Sequence, residues 1–435
     1  MSITDPAAHI RQRLQLAAQR PEAWIRLREE QELTDELAAV LASAAEGADL
    51  PLAGTIFAVK GNIDVAGLAT TAACPSYSYD PEQDATAVAR LRAAGAVALG
   101  TTNLDQFATG LVGTRSPYGA VRHATDPQRI SGGSSSGSGV ATALGAADFA
   151  LGTDTAGSGR VPAAFHGLYG LKPTKGSVSA AGVVPACRSQ DVVTVMSRDL
   201  PLAQRAQEIM TARDPRDVLS RAVPQDAPAS APEVPVIAVP KPGQLGELGP
   251  GWADSFAAEA QSWQAQASVV EVDIEPLLAA ARLLYEGAFV AERYTAVGAF
   301  IEEALQRGEQ EALDPTVTTI ITRAKDLPAW QVFADAEQIA AASRHAEEIF
   351  AQADALLLPT TVRHPTLEEV AADPAGVNAE LGRFTNFANL LDLSAAAYPA
   401  GVADGLPFGV QLVGPAFHDR VLSDLAALRT VADGV

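Results

Sequence analysis

Residues 131–176 are rich in Gly, Ser and Ala and poor in charge. In a flexible linker such residues run on without apolar punctuation. Here Val140-Ala141-Thr142-Ala143-Leu144 continues as a helix and Phe149-Ala150-Leu151 as a strand. The glycines therefore predict close backbone approach inside a packed fold. With 48% hydrophobic and 19% charged residues over 435 positions, the chain can bury a large core, and general disorder is excluded. Length alone suggests two or three domains at ~150 residues each.

The net charge of −21 disfavours polyanionic partners, so neither nucleic acid nor an anionic membrane surface is expected. Cys74 and Cys187 form no CxxC and no Cys/His cluster, which excludes a disulfide scaffold and suits a reducing compartment. Met1-Ser2-Ile3-Thr4-Asp5 lacks the basic and apolar regions of a signal peptide. No apolar stretch reaches the ~18 residues of a membrane span. A cytoplasmic location is the default expectation.

Asp5-Pro6 reads as an N-cap and first helical residue, and Thr34 as the cap of a second helix reaching about Ala45. Residues 1–49 are thus expected to be a helical segment packed on a main domain of residues 50–435. Thr55–Val59 and Ala96–Leu99 read as strands on either side of a helix at Asp84–Ala94, an order that predicts parallel α/β architecture. Further strands are expected at Val236–Val239, Ala355–Pro359 and Gly405–Gly414. Residues 252–310 and 331–353 should be mainly helical, and a last helix should cover about Arg420–Thr430. The Pro-rich stretch 213–234 reads as a surface connection.

The chemistry is narrowed by elimination. GGSSSGSG lacks the Gly-Lys-Ser/Thr ending of a P-loop, and there is no GxGxxG after a strand and no HExxH. The six histidines are scattered, and none sits in a GxSxG elbow. Two Ser-rich loops remain, Ser131–Gly139 and Gly152–Arg160. A nucleophilic serine needs a tight loop that presents its hydroxyl beside free backbone N–H groups. Thr155-Ala156-Gly157-Ser158 has the small residues such a loop requires, although a simple Gly/Ser turn is the bland alternative. Lys60 ends an apolar strand before a Gly-Asn turn. It is either an exposed lysine at the sheet edge or a buried one whose lowered pKa lets the neutral amine act as a base.

Lys60, the Gly132-Gly133-Ser134-Ser135 loop and the Asp154–Arg160 loop together resemble the amidase signature family, serine amidohydrolases with a Ser–cis-Ser–Lys triad. The serine spacing, 158 − 134 = 24, agrees with the family pattern. The resemblance covers roughly residues 50–430. It implies a large mixed β-sheet core covered by helices on both faces. It also implies Ser158 as nucleophile, Ser134 as a bridging serine at a cis peptide, Lys60 as base, and an oxyanion hole from the N–H groups of Thr155, Ala156 and Gly157.

Four further stretches, Asn103–Gly119, Val184–Ser189, Tyr285–Tyr294 and Thr385–Leu393, resemble the allophanate hydrolase branch of that family. This implies a small ureido carboxylate substrate. Tyr285 and Arg293 would hold its carboxylate and ureido end, with Gly110 and Val112 also lining the substrate. Eight residues apart, Tyr285 and Arg293 are expected two turns apart on one helix face, with an Arg293 pair to Glu286 or Glu292 as the structural alternative. The resemblance implies no metal and no cofactor, a small-molecule amide as the partner, and leaves a homodimer open. An amidase of other small-amide specificity and the amidase subunit of a tRNA-dependent amidotransferase are the alternatives. Gly61 departs from the family's usual Asp after the lysine, and His166-Gly167 from a more usual Asn pair.

Overall fold

The run expected as a strand from Thr55 extends from Ile56 to Lys60, and all five residues are buried. Its alternate side chains reach opposite sides of the sheet. Ile56 and Ala58 join Ile10, Leu33, Leu37 and Val140. Phe57 and Val59 join Val88, Leu91, Ala203 and Met210. A strand buried on both faces reads as a continuous apolar run instead of an alternating one. The computed structural model describes residues 3–432. Met1, Ser2 and 433–435, the ends of the two expected segments, lie outside the described residues.

Among the described residues eleven strands form one sheet. They are β1 (Trp24–Leu27), β2 (Ile56–Lys60), β3 (Val97–Thr102), β4 (Phe149–Asp154), β5 (Tyr169–Lys172), β6 (Val192–Ser197), β7 (Val236–Pro240), β8 (Ser268–Val272), β9 (Ala355–Pro359), β10 (Ser394–Ala403) and β11 (Leu406–Gly414). Their spatial order is β1-β3-β2-β4-β6-β5-β10-β11-β9-β7-β8. β2 runs parallel to both β3 and β4. β6, β5, β10 and β11 are antiparallel to their neighbours, and β7 is parallel to β8 and β9. The sheet is therefore mixed, with helices flanking it.

Two local expectations are corrected. Thr34 does not cap the second helix, which starts at Glu30. Thr34 lies inside it, with its hydroxyl bonded to the Glu30 carbonyl at 2.7 Å. Acidic residues favour a helix N-terminus, and Glu30 and Glu32 supply that first turn. Residues 1–49 also contribute β1, antiparallel to β3 at the sheet edge, between two helices. The first helix is as expected: Asp5 accepts the Ala8 N–H at 3.0 Å and Pro6 opens the helix.

Candidate active site

Because β2 and β4 are parallel neighbours, their carboxyl ends finish on one edge of the sheet. Lys60 ends β2 and Asp154 ends β4. The loop before the helix Ser136–Ala143 comes to the same edge. Lys60 is fully buried, not exposed at the sheet margin. Its Nζ lies 2.8 Å from Ser134 Oγ and 2.7 Å from Thr153 Oγ1. Burial lowers its pKa to about 7, with Asp105, Asp191 and Asp154 opposing the shift and Arg293 adding to it.

The Gly133–Ser134 peptide is cis. Only glycine fits at position 133, since a Cβ would stand 2.2 Å from Asp105 Oδ2. That buried carboxylate organises the loop opposite. It accepts the N–H groups of Val112, Gly113 and Arg115 at 3.2, 3.0 and 3.0 Å. The Asp105 N–H in turn donates to Ser134 O at 3.1 Å.

The loop carrying Ser158 is held from behind through its carbonyls. Asn389 Nδ2 donates to Asp154 O at 2.8 Å, Thr385 Oγ1 to Ala156 O at 2.6 Å, and Ser135 N to Ser158 O at 3.3 Å. Thr155 Oγ1 donates to Asp191 Oδ1 at 2.5 Å. Asp154 is locked by Arg160, whose Nε and Nη2 each lie 2.9 Å from one carboxylate oxygen. Burial alone would raise the Asp154 pKa, but the Arg160 charge and hydrogen bonds outweigh it and hold the carboxyl at about 2.

Asp154 also accepts the Gly157 N–H at 2.8 Å. Of the three N–H groups expected in the oxyanion set, that of Gly157 therefore has a protein acceptor in this structure. The N–H groups of Thr155 and Ala156 have no protein partner among the described residues. Gly157 is needed for another reason: its φ is +116°, and a Cβ there would meet Thr385 Oγ1 at 2.4 Å. Ser158 is buried, with its Oγ 3.4 Å from Gly110 O.

Tyr285 and Arg293 meet, but not on one helix. The helix Glu275–Glu286 stops at Gly287, and a new helix begins at Ala291. Asp335 secures the break by accepting the Ala288 N–H at 2.6 Å. Arg293 is buried, and its guanidinium lies 4.8 Å from the Tyr285 ring centre. Its Nη2 lies 3.1 Å from the Tyr285 hydroxyl, and its Nη1 2.9 Å from Thr109 Oγ1. It makes no ion pair with Glu286 or Glu292, and its Nε has no partner. Glu292 instead accepts from Ser189 Oγ at 2.9 Å.

Sequence reasoning assigned no role to Asp105, Thr109, Thr153, Asp154, Arg160, Asp191 or Asn389. Most of them lie in the stretches that carried the resemblance, and an acidic or amide residue among glycines was the available signal. The histidines stay out of this site. His123 stacks on His166 and His364 on Phe165, with ring centres 4.4 and 3.8 Å apart. Among the described residues no group of three or more His, Cys, Asp or Glu side chains could hold a metal ion, and no helix is long and apolar enough to cross a membrane.

A mixed α/β sheet with a buried lysine against serine-bearing loops defines an amidase class. The family model described as Amidase matches residues 8–422, and the chain belongs to this amidase signature family. It is 46% identical over 416 residues to a urea amidolyase of Lachancea kluyveri, a match covering 95% of this chain and 22% of that protein. The chain thus spans about a fifth of the length of such relatives. It is 36% identical to a glutamyl-tRNA(Gln) amidotransferase subunit of Symbiobacterium thermophilum, over 86% of this chain and 82% of that one. Among solved structures, Kluyveromyces lactis allophanate hydrolase matches with a TM-score of 0.89 and 42% identity, over 97% of this chain and 69% of that chain.

Proposed function

We propose that the chain is a serine amidohydrolase that cleaves the terminal amide C–N bond of a small ureido carboxylate, with allophanate the best fit. The observation that carries the substrate class is Arg293. A buried guanidinium without a carboxylate costs several kcal/mol unless a ligand supplies the counter-charge. Tyr285 and Thr109 hold its fork in place, and its Nε is left over. A carboxylate accepts from such a fork by charge-assisted, bidentate bonds.

In this reading Ser158 Oγ attacks the amide carbonyl. Its proton passes to Ser134 Oγ, whose own proton moves to neutral Lys60. The N–H groups of Thr155 and Ala156 hold the oxyanion. The relay then returns a proton to the leaving nitrogen, ammonia departs, and water hydrolyses the acyl-enzyme by the same path. Gly110 and Val112 line the substrate on the side of Ser158.

The test is ammonia release from allophanate, malonamate, biuret and simple amides by wild type and Ser158→Ala. Ser158→Ala should lose a factor on the order of 10⁴ or more. Wild-type activity in the pure variant would sink the assignment. Glutamine belongs in the panel because the glutamyl-tRNA(Gln) amidotransferase relative matches over most of its own length. A preference for glutamine would favour that relative's chemistry.

A further inference from the structure

Arg115 is a second buried guanidinium with no direct ion pair among the described residues, only 3% exposed, and the carboxylate its charge acts on, Asp105, is already taken up by three backbone N–H groups. Its Nη1 donates to Thr109 O at 3.1 Å and its Nη2 to Pro374 O at 2.7 Å. Both acceptors are neutral carbonyls. Its Nε is buried with no partner. The backbone N–H of Arg115 takes one oxygen of Asp105, whose other oxygen serves Val112 and Gly113.

Arg115 lies in the wall of a cavity of about 740 Å³ that also reaches Tyr285. Asn386 lies in the same wall. Its Oδ1 is a second buried polar atom with no partner. Its Nδ2 has no protein partner among the described residues either and is not shut off as Oδ1 is, so the N–H groups are the end of the amide open to the cavity. The rest of the rim carries charges of both signs, Arg282, Arg323 and Arg383 together with Glu247, Glu275, Glu286 and Glu380. Preference for an anion must therefore come from the buried group, where the effective dielectric is low.

We propose that Arg115 and Asn386 form an outer anion subsite that takes a small carboxylate. Thr109 joins it to the inner site, since its carbonyl holds Arg115 and its hydroxyl holds Arg293. The cavity is far larger than a ureido carboxylate needs. A substrate anion resting at Arg115 stands one residue away from the guanidinium that must finally receive it. This waystation role, unlike the subsite itself, rests on the function proposed above.

The test is an equilibrium titration with malonate, a dicarboxylate of about allophanate's size. Wild type should bind two equivalents and Arg293→Ala one. Adding Arg115→Met to Arg293→Ala should abolish the remaining site. Adding Asn386→Leu should weaken it roughly tenfold, the worth of one hydrogen bond to a charged group. Asn386→Leu also decides the matter if Arg115→Met does not fold. The subsite is overturned if Arg293→Ala binds no malonate, or if a folded double variant binds as tightly as Arg293→Ala. Allophanate hydrolysis by wild type is read separately. Its absence alongside a titratable outer site would remove the inner reading and leave the subsite standing.

Discussion

Lys60 Nζ stands 2.8 Å from Ser134 Oγ, and 74 residues of chain separate the two. With the lysine pKa lowered to about 7, the amine is largely neutral just above neutrality and can accept the Ser134 proton. The rate should therefore fall on acidification, with a midpoint near that value. A rate flat from pH 6 to 9 would show that Lys60 is not the base.

The same shift bears on stability. A lysine at about 7 when folded and 10.5 when unfolded costs stability fully below the lower value, and the cost fades as pH rises to the upper one. Lys60→Met should be inactive yet more stable than wild type at pH 6, with the gain shrinking toward pH 10. Denaturant midpoints at several pH values measure this. Functional sites commonly trade stability in this way.

Arg293→Ala should lose roughly tenfold to several hundredfold in kcat/KM on allophanate, the worth of a charge-assisted fork. It should lose much less on an uncharged amide. Arg293→Lys should not restore the loss, because an ammonium cannot reproduce the planar donor pair. Equal losses on acidic and neutral substrates would make Arg293 purely structural.

Arg160→Met should cost about 3–5 kcal/mol, since it leaves Asp154 buried without its partner. Activity should fall as well, because Asp154 holds Gly157 and Gly159 through their N–H groups. With the Asp154 pKa at about 2 when folded and 3.8 unfolded, the pair's contribution is complete above 3.8 and is lost as pH falls through about 2. Without Arg160, burial raises the Asp154 pKa above its ordinary value, so the variant's carboxyl takes up a proton on acidification and its deficit should already shrink above pH 3.8, where the wild-type pair is still intact. Thermal melts across pH 2–7 check it.

His364 is kept neutral by burial, which lowers its pKa to about 3. The unfolded chain binds that proton below 6.5, so stability present above 6.5 drains away as pH falls toward 3. His364→Phe would keep the stack on Phe165 and lose one bond to Ile130 O, worth about 1 kcal/mol. Its stability should then depend less steeply on pH between 6.5 and 3 than that of wild type. An unchanged slope would place the acid sensitivity elsewhere.

Much of this arrangement was legible in residue types. Lys60 at the end of an apolar run, and two Gly/Ser loops 24 residues apart in their serines, carried the family and drew the eye to the right edge of the sheet. The companions of these residues were less legible, since their partners lie far along the chain. Nothing near Ala156 announces that Thr385 will hold its carbonyl. The Tyr285–Arg293 spacing suggested one helix, but the chain turns extended at Gly287, where a Cβ would stand 2.6 Å from Asp335 Oδ2 and 2.7 Å from Leu283 O. β10 was missed because Ser394-Ala395-Ala396-Ala397 has low strand propensity; its neighbours β5 and β11 impose the strand. β6 carries a β-branched run, Val192-Val193-Thr194-Val195, a signal the expectations did not use.

The loop bearing Ser158 takes its shape from Thr385 and Asn389, which are joined to it by 2.6 and 2.8 Å bonds. During synthesis those two residues leave the ribosome long after Ser158 does. A nascent chain halted before them carries Lys60, Ser134 and Ser158, yet lacks the clamps that hold the carbonyls of Asp154 and Ala156. The shape of the Ser158 loop is thereby tied to synthesis at least as far as Asn389, and a product that stops before Thr385 holds the same three side chains on a loop without its two clamps.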